Sequence, residues 1–236
     1  KNTLDDVPAF YLLAFRFSIA AVILSLVFVK SFKAFNKDYL IKGSVLGALL
    51  FCAYSFQTIG LKFTTPGKNA FLTAVYCVMV PFLHWGFSKR RPDAYNISAS
   101  IICVIGIGLV SLNEGLTMGI GDGLTLVCGL FYALHIIAVS SFSQGRDIFL
   151  LTIIQFASSA LLGWIFGLGF NSFPQSISEG SVFSLLYLSV LATAVALLFQ
   201  NVGQKYTHPS TAGIILSLES VFGVLFSIIL YHEVLT

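Results

Sequence analysis

Eight stretches of this chain are apolar over nearly the whole length a helix needs to cross a bilayer, which is about 20 residues. They fall at roughly 9–29, 43–61, 69–87, 95–112, 123–142, 148–168, 182–203 and 210–231. Short polar loops separate them, among them Lys30–Lys42, Ser88–Asp93, Asn113–Gly121 and Asn171–Gly180. Apolar residues make up 57% of the chain and charged residues only 10%. A soluble domain has roughly 45–50% and about 25% respectively, so this chain has too little polar surface to dissolve in water. Inside a bilayer each backbone polar group must be satisfied within the protein, and for such segments that dictates helices. The expected fold is all-α and polytopic, with no linker long enough to separate two soluble domains.

The second constraint is an internal repeat. Gln57-Thr58-Ile59-Gly60-Leu61-Lys62-Phe63-Thr64-Thr65-Pro66 aligns with Gln200-Asn201-Val202-Gly203-Gln204-Lys205-Tyr206-Thr207-His208-Pro209 at an offset of 143. A weaker echo at offset 139 pairs Phe10, Arg16, Phe17 and Ala21 with Phe149, Gln155, Phe156 and Ala160. The repeating unit is a group of membrane helices, a signature of secondary transporters that bind substrate where their repeats meet.

Charge placement sets orientation. Lys30, Lys33, Lys37, Lys42, Lys89, Arg90, Arg91, Arg146 and Lys205 fall on one side, against Lys1, Lys62 and Lys68 on the other. Cationic loops stay cytoplasmic, so the first segment runs inward and the two repeat copies insert in opposite directions. That is an inverted repeat with a pseudo-two-fold axis in the membrane plane. The net charge of +3 gives no reason to expect a nucleic-acid partner. Cys52, Cys77, Cys103 and Cys128 lie inside apolar segments, where disulfides are not expected. The polar opening is unlike a cleavable signal, and the ends suggest a fragment or trimmed form of a longer membrane protein.

Several local patterns carry a family resemblance. They are Ala14-Phe15-Arg16-Phe17, Gly121-Asp122-Gly123, Leu218-Glu219-Ser220 and Tyr231-His232-Glu233. With the repeat, the whole chain resembles the drug/metabolite transporter superfamily, in particular its EamA-type exporters. The resemblance implies ten helices in two inverted five-helix repeats, eight of them visible here. Residues 1–112 form the first repeat without its first helix, and 121–236 the second without its last. It implies export of small metabolites, such as amino acids, across the cell membrane by alternating access. The chain departs from the family pattern at Ser88-Lys89-Arg90-Arg91 and at Ser220.

The candidate substrate residues are Gln57, Asn69, Thr73, Tyr76, Tyr132, His135, Gln200 and Glu219. Asn69, Thr73 and Tyr76 share one helical side, and Thr125, Cys128, Tyr132 and His135 form a second stripe. Tyr76 and Glu219 occupy equivalent repeat positions. Such stripes suit a small polar or amphipathic solute, or else ordinary interhelical hydrogen bonds worth about 0.6 kcal/mol each. Glu219 is the one carboxylate well inside an apolar segment. An intramembrane charge is costly and marks function or tight pairing, so proton coupling and a structural hydrogen bond are both open for it. Arg16 and its mate Gln155 are candidates for a gate that exchanges partners, for snorkelling, or for fixed carbonyl capping. Lys68 is read as a solvated interface residue or an anion-attracting group at the outer mouth. Pro81 predicts a kink, and Gly43/Gly47 and Gly163/Gly167 predict close helix packing.

Enzyme chemistry is not expected. Cys77/His84 and Cys128/His135 are seven residues apart, about 10.5 Å along a helix, whereas proton transfer needs about 3 Å. No HExxH or GxSxG pattern is present, and neither metal nor cofactor is expected. A non-transporting membrane scaffold remains the other reading. The expected partners are a small-molecule substrate and membrane lipid.

Overall fold

A computed structural model describes residues 6–89, 91–111, 119–174 and 177–231. Arg90, His232, Glu233 and most of the Asn113–Gly121 loop lie outside the described residues. Helices cover all eight apolar stretches: α1 Ala9–Val27, α2 Lys37–Gly60, α3 Pro66–Thr73, α4 Tyr76–Ser88 and α5 Ala94–Ser111, then α6 Ile120–Phe142, α7 Ile148–Phe170, α8 Glu179–Ser189, α9 Ala196–Lys205 and α10 Pro209–Tyr231. The described residues contain no strand. Among the described residues, six spans are long and apolar enough to cross a membrane: Ala9–Val27, Lys37–Phe63, Pro66–Ser88, Ile120–Phe142, Ile148–Phe170 and Glu179–Lys205.

Local chemistry starts these helices where the loops end. Asn36 Oδ1 accepts from the Asp38 and Tyr39 amides at the start of α2. Thr65 caps α3 and Pro66 opens it, a position where proline's missing N–H costs nothing. Asp93, Asp147 and Ser178 accept backbone N–H groups at the starts of α5, α7 and α8. Each satisfies a donor that the first helical turn leaves unpaired.

Two spans are not continuous α-helix. Between α3 and α4 the chain tightens, with Ala74, Val75, Cys77 and Val78 each donating to the carbonyl three residues back. The interruption sits at Ala74–Val75, ahead of Pro81, which lies within α4. Between α8 and α9 the chain instead widens into a π-helical turn, Val190–Val195.

The chain forms two compact units, each discontinuous in sequence. The first comprises residues 1–55 and 138–206, and the second 56–137 and 207–236. In the first, α1 packs along α7 and also meets α8 and the π-turn, while α9 lies on α7. Glycine sets the approach. A Cβ on Gly163 would sit 2.8 Å from the Ala14 backbone nitrogen, and one on Gly47 2.5 Å from the Gln155 carbonyl oxygen. The close-packing expectation for these glycine pairs holds. Aromatic side chains fill the same seam, including Tyr11 and Phe15 edge-on to Trp164, whose Nε1 donates to Ser18.

At one end of this unit Asp38 joins Lys42 and Arg146, both at 2.6 Å, and Lys205 Nζ donates to the Arg146 carbonyl. Three cations assigned to one membrane side thus meet at one end. At the N-terminal end of α1, Asp6 accepts hydrogen bonds from Ser178 and Ser181. Those hydroxyls hold its carboxyl below the usual carboxylate range.

In the second unit α10 packs on α3 and α4, and α5 on both of these as well. Gly213 lies against Cys77 and Val80, and Gly223 against Ala70. Helix α10 therefore runs antiparallel to α3–α4, which brings Glu219 to the level of their interruption. Tyr76, Val80, Ala133, Ile136, Ile137 and Ala212 form the apolar centre of this unit.

Candidate substrate site

In the second unit the two polar stripes face each other. Thr125, Cys128 and Tyr132 recur every three or four residues, which keeps them on one side of α6. Asn69, Thr73 and Tyr76 keep the same side across the α3–α4 interruption. Asn69 Nδ2 donates to Thr125 Oγ1 at 2.8 Å. Thr73 donates its hydroxyl to the Asn69 carbonyl at 2.8 Å. Tyr76 meets Tyr132 edge-on, with ring centroids 6.1 Å apart.

Gln57, at the end of α2, ties the stripes together. Its Nε2 donates to Thr73 Oγ1 at 3.3 Å, and its Oε1 accepts from the Tyr132 hydroxyl at 3.2 Å. Donor and acceptor ends are both engaged, which fixes the amide's orientation. Asn69 and Thr73 are buried, whereas Gln57 and Tyr132 are half-buried. The group is thus partly accessible to a solute.

His135 is fully buried on α6, one turn beyond Tyr132. Glu219 is exposed on α10, level with the α3–α4 interruption. Gln200 is half-buried on α9 of the first unit. Five candidates, Gln57, Asn69, Thr73, Tyr76 and Tyr132, are linked through side-chain hydrogen bonds and a ring contact, and Glu219 lies on the helix that packs on α3 and α4.

One ion pair of the second unit was not foreseen from the sequence. Lys68 is neither simply solvated nor open to an anion: its Nζ lies 2.8 Å from Asp122 Oδ2. Asp122 is 2% exposed, and it also accepts from Thr64 Oγ1 and the Gly119 amide. The available signal was the pairing of a lone carboxylate at one helix start with a lone cation at another.

Arg16 lies in the first unit. Its guanidinium donates to Thr193 Oγ1, to the Ala192 carbonyl at 3.2 Å and to the Tyr54 hydroxyl at 3.3 Å, and it lies 4.4 Å from the Tyr54 ring centroid. Thr193 in turn donates to the Leu188 carbonyl, five residues back. A π-turn leaves carbonyls without their usual i→i−4 partner, and Arg16 caps one of them. Its mate Gln155 is fully buried and accepts from Asn201 Nδ2, which also reaches Thr152. Thr193, Asn201 and the π-turn were not legible in advance.

Comparison with known proteins follows from this geometry. The sequence pattern of the EamA-like transporter family matches residues 1–112 and 119–236. An uncharacterized transporter of Archaeoglobus fulgidus is 34% identical over 237 residues, covering 100% of this chain and 73% of that protein. A second uncharacterized transporter of that organism is 24% identical over 188 residues, covering 76% of this chain and 64% of its own length. One crystal structure superposes with a TM-score of 0.75 at 14% identity, covering 100% of this chain and 83% of the other. That last likeness shows the fold alone.

Proposed function

Because the chain belongs to the EamA-like transporter family of the drug/metabolite transporter superfamily, and is thereby an integral membrane transporter, we propose that it exports small polar metabolites. Amino acids and related compounds are the class we favour, and the cell membrane is the site. Transport proceeds by alternating access between two inverted repeats, residues 1–112 and 121–236, within a ten-helix plan.

The observation that carries this reading is the pairing of repeat-equivalent helices. Helix α1 packs along α7, and α3–α4 packs along α10. These are the pairs that the two offsets relate. A pseudo-two-fold axis through each unit would generate such pairing, and a tandem repeat related by translation would not. In the second unit the linked polar groups offer amide, hydroxyl and phenol to a solute of mixed character. Glu219, exposed beside them, supplies the charge for a substrate amine or a coupling proton.

The test is transport by the protein reconstituted in liposomes, measured for a panel of amino acids and related metabolites with and without a proton gradient. At least one should move in a gradient-dependent manner, and Glu219→Gln should cut that rate by tenfold or more. Thermal stability should be little changed, since neutralising the group also removes its desolvation cost. Transport by Glu219→Gln with unchanged rate and pH dependence would reduce Glu219 to a structural hydrogen-bonding group.

A further inference from the structure

A groove of about 240 Å³ runs between α4 and α5 in the second unit, lined by Val78, Phe82, Ile97, Ser100, Ile101 and Ile105. Only one polar side chain lines it, and the Ser100 hydroxyl is already donated to the Asn96 carbonyl at 2.7 Å. Nothing in the groove recognises a polar metabolite. It is also smaller than the roughly 300–1,000 Å³ typical of small-molecule sites.

The end of the groove leads to a basic turn. Helix α4 stops at Lys89, which adopts the left-handed conformation with φ 58°. Lys89 and Arg91 are both exposed. Asp93 lies in the same turn, with Oδ1 accepting from the Asn96 amide at the start of α5. Lys89 lies seven residues beyond Phe82, and Arg91 six residues before Ile97. At 1.5 Å per residue along α4, Lys89 is therefore about 10 Å beyond Phe82 at the near end of the groove. Trp85 and Tyr95, 42% and 85% exposed, occupy the zone between. Tryptophan and tyrosine mark the headgroup level, which places the turn among lipid headgroups and the groove in hydrocarbon.

We propose that this groove holds an acyl chain of an anionic glycerophospholipid, with the lipid phosphate on Lys89 and Arg91. The two halves of the site match the two halves of one amphiphile. A flat apolar face would accept any lipid tail, but a concave one ending at two cations selects a chain joined to an anion. Each cation near an anionic headgroup strengthens its binding several-fold, so the pair should give a preference on the order of tenfold over a zwitterionic lipid.

The proposal is tested by native mass spectrometry of purified protein exposed to phosphatidylglycerol and phosphatidylcholine of matched chains. A tightly retained phosphatidylglycerol is expected, favoured about tenfold, with the preference falling to near unity in Lys89→Gln/Arg91→Gln. Ile101→Phe, at an exposed position, should fill the groove and reduce retention of both lipids while leaving the charges in place. Quenching of Trp85 by phosphatidylglycerol with brominated chains, in a Trp164→Phe background, should follow the same order. Equal retention of the two lipids, or a preference unmoved by Lys89→Gln/Arg91→Gln, would overturn the proposal. So would binding of inorganic phosphate as tight as that of the lipid. A crosslink from Ile101 to a second copy or to another helix would assign the groove to protein instead.

Discussion

The two units treat their intramembrane charges in opposite ways. Arg16, in the first, is held by Thr193, the Ala192 carbonyl and Tyr54. Glu219, in the second, stands exposed on α10, level with the α3–α4 interruption. Close glycine approaches occur in both units, at Gly47 and Gly163 in the first and at Gly129 and Gly223 in the second, and in the second Gln57, Asn69 and Thr73 link the helices by side-chain hydrogen bonds. A charge bound by three hydrogen-bond acceptors and a ring face strengthens a joint. On the proposed function, Glu219 is the charge that changes state during transport and Arg16 the one that does not.

The sharpest way to break that contrast is to exchange the roles of the two charges. Arg16→Met should cost about 1.5–3 kcal/mol of stability, the range for hydrogen bonds to a charged group, because the π-turn carbonyl at Ala192 loses its donor. Any transport that survives in folded protein should keep its pH dependence, unlike that of Glu219→Gln. Thermal unfolding in detergent, read beside transport, distinguishes the two variants. An Arg16→Met protein of native stability that fails to transport would move Arg16 into the gate and erase the comparison.

A second measurement tests the close glycine approach in the first unit. Gly47→Val places its Cβ 2.5 Å from the Gln155 carbonyl oxygen and 2.7 Å from Ser158 Cβ. Overpacking of this kind costs about 1–3 kcal/mol. Gly86→Ala is the control in the second unit, since nothing lies within 4 Å of its added Cβ. Within α4 that change should be neutral or stabilise by up to about 1 kcal/mol. Equal melting shifts for the two would mean that the close approach at Gly47 carries no packing cost.

The smallest expected effect concerns pH at the edge of the first unit. The Ser178 and Ser181 hydroxyls lower the Asp6 pKa, so the folded state favours its ionised form. That stabilisation is present above the ordinary carboxylate pKa, near 3.9, and is lost as pH falls through the depressed folded value. Asp6→Asn should therefore speed amide exchange around Ser181 modestly near neutral pH, and the difference should close in acid. A difference independent of pH would show that Asp6 acts there by shape alone.

Much of the candidate site was legible because its signal is local. Asn69, Thr73 and Tyr76, and Thr125, Cys128 and Tyr132, follow helical spacing, so each stripe was visible within one segment. Their register against one another was not, since it depends on how α3 and α6 meet. Glu219 stood out for a simpler reason, as a carboxylate in an apolar run. Gln200 matches Gln57 in sequence and lies on α9 of the first unit.

The sequence alone determined that the chain is helical and roughly where its helices fall. Apolar length acts within a segment or between a segment and the bilayer, and needs no knowledge of a partner. Tertiary structure decided the rest. It brought Lys68 to Asp122 and Arg16 to the Ala192 carbonyl, it set one interruption at Ala74–Val75, and it widened the chain at Val190–Val195. Each of these joins or answers groups far apart in the chain. Their energies arise only when two helices meet, and no single segment carries that information.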